Sequence, residues 1–188
     1  MKTLLATLVL AAAATPAAAG PDFVTSTPRP RALAASDGVT QIAPMDDVLF
    51  ESDADALSPL AQQQLASAAA WLERNPRYRL VLEGYTDAAG QPFYNEDLAT
   101  RRAAHARAHL ITLGVPSHRI IIVVYGEAAA RASRDPLARR VVLYATHLPP
   151  RTIAAASLDR KRALSAVWVE QGTLYTQERT PRTLVGER

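Results

Sequence analysis

The chain of 188 residues is 48% apolar and 21% charged, carries a formal net charge of +3 and contains no cysteine. This composition fits one folded domain with an apolar core, and it excludes a disulfide framework, a cysteine nucleophile and a lipid attached to cysteine. Lysine and arginine nearly balance aspartate and glutamate, 21 against 18, so the charge gives no argument for a nucleic-acid partner.

Residues 1–19 have the composition of a secretory signal peptide. Lys2 supplies a positive charge, residues 4–14 form a mostly apolar run, and Pro16 precedes a stretch of alanine that ends at Ala19. Small residues at this point are typical of a cleavage site, and the apolar run is shorter than the roughly 20 residues of a membrane-spanning helix. We therefore expect cleavage after Ala19 and export of the protein. Residues 20–44, rich in proline, are predicted to be a linker.

A folded domain is predicted over residues 45–147, where helical and strand patterns alternate. Apolar residues recur at helical spacing over 57–75, which opens with a serine–proline pair, and over 95–113, which precedes a glycine suited to a C-terminal cap. Alternating or β-branched runs predict strands at 47–50, 79–85, 119–125 and 138–146. This βαβαββ order indicates the α/β class, as an α+β sandwich with helices packed on one face of a mixed sheet.

The remaining residues, 148–188, follow the domain as a basic C-terminal extension. The pattern predicts a helix within 153–167 and a hairpin within 168–176 that turns at Gly172. Arginine and lysine outnumber the acidic residues in this extension. Two interpretations stay open: a solvated extension, and a docking segment for a partner protein or an anionic polymer.

One predicted loop–helix junction carries the residue types of a ligand site. The sequence Gly84-Tyr85-Thr86-Asp87 is followed by Asn95 and Arg102, which places a carboxylate, an amide and a guanidinium around one junction. A carboxylate pairs with an ammonium group, and a planar guanidinium binds a carboxylate through two parallel hydrogen bonds. The spacing therefore predicts a site for a zwitterion, such as a free amino-acid centre.

Five motifs of the domain match one known family in order and in spacing. They are Val48-Leu49-Phe50 with Glu51 and Asp53 after it, Gly84-Tyr85-Thr86-Asp87 with Gly90, Tyr94-Asn95 leading into Leu98-Ala99-Thr100-Arg101-Arg102-Ala103, Gly126-Glu127, and Ala138-Arg139-Arg140-Val141. Together they resemble the OmpA-like peptidoglycan-binding domain over roughly half of the chain. Two positions depart from the family pattern: Ala138 replaces an asparagine, and residues 128–130 are alanines where a proline is usual.

The resemblance implies roles for individual residues. In the family this aspartate and arginine hold the diaminopimelate residue of the peptidoglycan stem peptide, so Asp87 is expected to bind its ammonium group and Arg102 its carboxylate. Asn95 is expected to cap the helix, order the loop and offer an amide contact to the ligand. Thr86 and Leu98 are expected to line the pocket, and Arg140 is expected to supply a second cation. Glu51 or Asp53 is expected to supply a further acidic contact.

The resemblance also implies the class and location of the protein. It predicts a non-catalytic protein of the periplasm, associated with the outer membrane, that binds peptidoglycan and uses no cofactor or metal. Residues 148–188 are then a candidate docking segment for another envelope protein. The alternative is an envelope scaffold on the same fold that has lost wall binding, which Ala138 favours. A zinc enzyme is the rival class: His105 and His109 have a spacing that metal ligands use, but they lie opposite the predicted buried stripe of their helix.

Overall fold

The structure, a computed structural model, describes residues 43–128, 130, 134–159 and 162–179. The predicted signal peptide and all but the end of the predicted linker lie outside these ranges. Within them, no helix combines the length and the apolar character needed to span a bilayer. The helices and strands, in chain order, are β1 (Ala43–Pro44), β2 (Val48–Leu49), α1 (Pro59–Arg74), β3 (Arg79–Tyr85), α2 (Pro92–Thr112), β4 (Ile120–Gly126), β5 (Arg140–Thr146), α3 (Pro150–Asp159), β6 (Ser165–Glu170) and β7 (Thr173–Glu178).

Helix α1 is fixed at both ends by side chains. Ser58 is its N-cap residue and accepts a hydrogen bond from the amide of Ala61 at 3.1 Å, in line with the predicted helix start. At the other end, the guanidinium of Arg119 donates to the carbonyl oxygens of Leu72 and Asn75, at 3.0 and 2.8 Å. Because these contacts satisfy backbone groups that a helix leaves unbonded, the position of α1 on the sheet is well defined.

Helix α2 begins earlier than predicted. Its first residue is Pro92 instead of Asn95, because proline at the first helical position has a helical φ and lacks the N–H that this position leaves without an acceptor. Gln91 holds the N-cap position, so the prediction that Asn95 caps the helix is wrong. The end is as predicted: Gly114 has a φ of +89° just after the last turn.

The seven strands of the described chain form one mixed sheet. Along the sheet the order is β1, β5, β3, β4, β6 and β7, and β2 pairs with β5 as well. The pair β3–β4 is parallel, whereas the other pairs are antiparallel. The succession from β2 to β5 confirms the predicted βαβαββ order and the α+β class.

The central strands are buried on both faces of this sheet. Leu80 and Leu82 of β3 pack with α1 and α2, whereas Val81 between them packs with α3. The run Ile120–Val124 in β4 is buried throughout, which is the pattern of a strand covered on two sides. The two helices predicted within the domain therefore lie on one face, as expected, and the helix of the predicted extension lies on the other. Helices α1 and α2 cover one face, and α3 covers the other.

Strands β6 and β7 continue the sheet and α3 covers it, although all three lie in the predicted extension beyond the domain. Helix α3 ends at Asp159, earlier than the pattern suggested, and β6 then pairs antiparallel with β4, so that Trp168 lies opposite Ile121. This pairing fills an edge of β4 that the predicted strands left open. The predicted turn is present, with positive φ at Gln171 and Gly172.

A carboxylate is buried on the α3 side of the sheet. Glu83, in the middle of β3, is fully buried and accepts hydrogen bonds from the hydroxyl groups of Tyr85, at 2.9 Å, and Tyr144, at 3.2 Å. Burial, followed by the charge of Glu83, raises the pKa of both tyrosines well above the usual range. Both hydroxyl groups therefore remain protonated donors. The bond from Tyr144 links β5 to β3, and the bond from Tyr85 lies within β3.

Replacing Trp168 by alanine tests whether the C-terminal hairpin belongs to the same cooperative unit. Trp168 is 4% exposed and stacks on Tyr175, so its truncation is expected to lower the free energy of unfolding by about 3–5 kcal/mol. Leu174→Ala, on the neighbouring strand and 62% exposed, is the control with little expected effect. Urea unfolding followed by tryptophan fluorescence measures both variants, and in Trp168→Ala the signal comes from Trp71 of α1, the one tryptophan that remains. An unchanged Trp71 transition in Trp168→Ala would show that the hairpin unfolds independently.

Candidate functional site

Three chain segments meet at one edge of the sheet. Because β3 and β4 are parallel, their C-terminal ends lie side by side, and the amide of Thr86 donates to the carbonyl oxygen of Gly126 at 2.8 Å. The end of β2 joins them through β5: the amide of Phe50 donates to the carbonyl oxygen of Arg139 at 2.9 Å. Most of the residues selected from the sequence lie at this edge.

Asp87 forms an ion pair with an arginine that sequence analysis did not select. Its Oδ2 lies 3.3 Å from Nη1 of Arg139, and the two side chains are 9% and 15% exposed. Nε of Arg139 also donates to the carbonyl oxygen of Phe50 at 3.3 Å, which orients the guanidinium. The site thus contains one anion and one cation, in contact with each other and both still reached by solvent.

Arg140, expected to supply the second cation, lies on the α3 side of the sheet. Its guanidinium stacks over the ring of Tyr85 at 5.4 Å, and its Nε is 3.6 Å from Oδ2 of Asp47. Consecutive residues of an extended chain point to opposite faces, so Arg139 shares the face of Val141, which packs with α1 and α2. This alternation along β5 is the sequence signal that distinguishes the two arginines.

Arg102 is fully buried beneath the site. Its guanidinium donates to the carbonyl oxygens of Ala54 at 2.8 Å, Glu51 at 3.0 Å and Tyr85 at 3.4 Å. Burial lowers its pKa to about 10, and the charge of Asp87 opposes that shift. Arg102 therefore stays charged near neutral pH and ties the loop after β2 to the end of β3. Its expected contact with a ligand carboxylate stays a prediction.

Asn95 connects α2 with the end of β4. It lies within α2 and is buried, and its Nδ2 donates to Oε2 of Glu127 at 2.7 Å. This bond orients Glu127 next to Gly126, the last residue of β4, where φ is +58°. Asn95 thus orders this edge of the sheet, but through the loop after β4 and not by capping its own helix.

The two residues expected to line a pocket are both buried. Thr86 is 0% exposed and Leu98, one turn before Arg102 on α2, is 4% exposed. The hydroxyl group of Thr86 has no hydrogen-bond partner among the described residues. A buried hydroxyl without a protein partner is a group that a ligand at this edge would satisfy.

The acidic loop after β2 borders the site on its exposed side. Glu51 and Asp53 are both exposed. Glu51 bonds to α2 through its backbone carbonyl, which accepts from Arg102, whereas Asp53 does so through its carboxylate, which accepts from the hydroxyl of Tyr94. This hydrogen bond raises the pKa of Tyr94. Asp53 has a φ of +56°, a conformation that aspartate tolerates better than most residues.

Asp55, which sequence analysis did not select, completes this acidic border. Its Oδ2 lies 2.8 Å from Nε of Arg101, and that hydrogen bond lowers the pKa of Asp55. Arg101 also pairs with Asp97 one turn earlier on α2. Asp55 and Arg101 lie 46 residues apart in the chain, so no local pattern pointed to Asp55.

The described part of the chain has no cluster of three or more histidine, cysteine, aspartate or glutamate side chains placed to hold a metal ion. His105, one of the two histidines with a metal-ligand spacing, has its Nδ1 2.8 Å from the carbonyl oxygen of Asp55. The charged groups that meet at the site are Asp87 and Arg139, above the buried charge of Arg102, and they offer charge recognition.

Comparison with known proteins gives one family and a set of relatives. The model of the OmpA family matches residues 49–142. The peptidoglycan-associated lipoprotein of Brucella melitensis is 40% identical over 81 residues, which is 43% of this chain and 48% of the relative. That of Agrobacterium fabrum is 37% identical over 92 residues, or 49% of this chain and 52% of the relative. The chain thus spans about half the length of these curated relatives.

A similar solved structure is that of the peptidoglycan-associated lipoprotein from Burkholderia pseudomallei. It superposes with a TM-score of 0.49 at 27% identity, covering 53% of this chain and 89% of the other. The residues matched by the family model include Asp87, Arg102 and Arg139, whereas α3, β6 and β7 follow the matched range.

Replacing Arg102 by alanine is expected to destabilise the fold by about 2–4 kcal/mol, because three carbonyl groups lose a charged donor and a buried cavity remains. Arg101→Ala, one position earlier on α2, removes an exposed ion pair and is expected to change stability little. Urea unfolding followed by circular dichroism compares the two variants. Equal stability of Arg102→Ala and Arg101→Ala would contradict the structural role of Arg102.

Proposed function

The chain belongs to the OmpA family, and we propose that it binds peptidoglycan in the cell envelope through the amino-acid end of a stem peptide. The observation that carries this proposal is the solvent-reached pair of Asp87 and Arg139 at the edge of the sheet. The relatives from Brucella melitensis and Agrobacterium fabrum are named for an association with peptidoglycan, which supports the choice of ligand.

The proposed ligand group is the zwitterionic centre of diaminopimelate. Its ammonium group would replace Arg139 as the partner of Asp87, and its carboxylate would then bind the guanidinium of Arg139. A nearly buried charge that loses its partner is costly, so a ligand is accepted best when it supplies both charges at once. A zwitterion meets this condition, whereas a simple amine or a simple acid leaves one side chain unpaired.

The surrounding residues have supporting roles in this proposal. Arg102 holds the loop after β2 and adds a fixed positive charge beneath the ligand carboxylate. The Thr86 hydroxyl offers a hydrogen bond to the ligand, and Asn95 keeps the loop after β4 in place through Glu127. The family resemblance implies the alternative, in which Arg102 instead of Arg139 binds the ligand carboxylate directly.

We propose a binding role without catalysis, in the periplasm. Arginine stays protonated near neutral pH, so a carboxylate paired with a guanidinium has no second group with which to exchange a proton. The opening of the internal ion pair and the desolvation of the ligand offset much of the attraction. Affinity for one stem peptide is therefore modest, and the repeated sites of the polymer add avidity.

The alternative function is an envelope scaffold that has lost wall binding. Ala138 favours it, because this residue is 2% exposed in the short turn next to Arg139 and offers no side-chain hydrogen bond where the family has asparagine. A scaffold would not depend on the charge of Asp87, so the same variants separate the two functions.

Asp87→Asn is expected to weaken binding to purified sacculi at least about tenfold, since the ligand ammonium loses its counter-charge. Asp97→Asn makes the same change of charge at an exposed position of α2 and is expected to bind like the wild type. Co-sedimentation across a range of protein concentrations, at two salt concentrations, measures the affinity. Equal binding by Asp87→Asn would contradict the proposed site, and binding that vanishes at moderate salt would indicate nonspecific attraction.

Arg139→Gln and Arg140→Gln form a second matched pair at neighbouring positions. The proposed exchange of partners predicts that Arg139→Gln weakens sedimentation with sacculi by about tenfold, while Arg140→Gln, on the other side of the sheet, does not. Circular dichroism controls for folding. If a folded Arg139→Gln variant binds normally, the carboxylate contact belongs to Arg102 instead. If the wild type does not sediment at low salt, the scaffold alternative is favoured.

A further inference from the structure

The first turn of α2 carries an aromatic side chain that the fold does not use. Phe93 is 83% exposed, and it belongs to neither of the two apolar cores of the sheet. Its backbone is firmly placed, because Pro92 begins the helix and the amide of Asn95 donates to the carbonyl oxygen of Gln91 at 3.0 Å. The backbone therefore fixes the point on α2 from which the ring extends into solvent.

The next residue of α2, Tyr94, is a second exposed aromatic side chain, and the two are called the aromatic rim. Tyr94 is 42% exposed, and its hydroxyl bonds to Asp53 in the acidic loop after β2. The guanidinium of Arg101 lies 5.9 Å from the centre of its ring. A Cβ atom added to Gly90 would lie 3.8 Å from this ring, so the rim adjoins the loop that begins with Asp87.

The proposed ligand places a sugar close to the stem peptide. Peptidoglycan carries each peptide on a strand of pyranose rings, and a pyranose ring has an apolar face of C–H groups bordered by hydroxyl groups. Such a face packs well on a flat aromatic ring, which supplies apolar area at a small cost in side-chain order. Leu174, an exposed aliphatic side chain on β7, has no comparable flat surface.

We propose that Phe93, next to Tyr94, is a stacking platform for a pyranose ring of the glycan strand. This inference rests on the proposed function, and it extends the site from the peptide to the sugar. Asp87 and Arg139 then select the charged end of the peptide, and the aromatic rim adds affinity only when the peptide is attached to its sugar.

The test compares two soluble probes by isothermal titration calorimetry: a disaccharide–peptide fragment of peptidoglycan, and the same peptide without sugar. In Phe93→Ala, affinity for the disaccharide–peptide is expected to fall by about three- to tenfold, with affinity for the free peptide unchanged. Phe93→Trp, which keeps a flat ring, is expected to retain the affinity. Leu174→Ala, which removes an exposed apolar side chain from β7, is expected to affect neither probe.

Alanine is a strong helix former, so Phe93→Ala is expected to fold as the wild type does. Equal affinity of wild type and Phe93→Ala for the disaccharide–peptide would overturn the platform while leaving the proposed function intact. A similar loss for both probes would assign Phe93 to the peptide and overturn the sugar contact. If the wild type bound neither probe, the proposed function would fail together with this inference.

Discussion

The buried guanidinium of Arg102 is the contact on which the arrangement of the candidate site depends. The loop after β2 has no regular secondary structure, and its place is set by the carbonyl groups of Glu51 and Ala54, which accept from Arg102. The same guanidinium reaches the carbonyl group of Tyr85 at the end of β3. A charge is tolerated in a protein interior only where hydrogen bonds replace its hydration. The loop after β2 and the end of β3 therefore pack against α2, where their carbonyl groups bond to the guanidinium. Because Arg102 positions this loop, it also positions the acidic residues that border the site, including Asp53.

Above Arg102, the pair of Asp87 and Arg139 gives the site its proposed selectivity. Two opposite charges with little contact to water are stable as a pair, and each becomes unfavourable when the other is removed. On the proposed function, discrimination arises from this penalty as much as from attraction, because a ligand with one charge leaves the other side chain unpaired. The same balance explains why binding at one site is modest and why a polymer with many identical groups is a suitable partner.

The sheet and the helices packed on it extend beyond the residues that match the family. The match ends at residue 142, yet α3 covers the second face of the sheet and β6 pairs with β4. Without these elements, the buried carboxylate of Glu83 and the tyrosines that bond to it would lie at a solvent-facing surface. The C-terminal elements therefore stabilise the strands whose ends carry the site, although they contribute none of its charged groups.

The sequence alone determined the features that depend on near neighbours. Strand β3 lies at the predicted residues, Ser58 caps α1, and Gly114 ends α2, because each follows from residues within a turn or a strand of its own position. The order of the elements and the loop–helix junction that bears Asp87 were predicted for the same reason.

Only the tertiary structure decided which side chains meet. The partners of Arg102 lie 48 and 51 residues away in the β2 loop, Asn95 reaches Glu127 across 32 residues, and the cation next to Asp87 is Arg139 instead of Arg140. Such contacts depend on strand register and on which face each residue presents, and a one-residue difference reverses the face. The position of α3 is decided in the same way, by the apolar area on the second face of the sheet, and not by any local pattern in α3 itself.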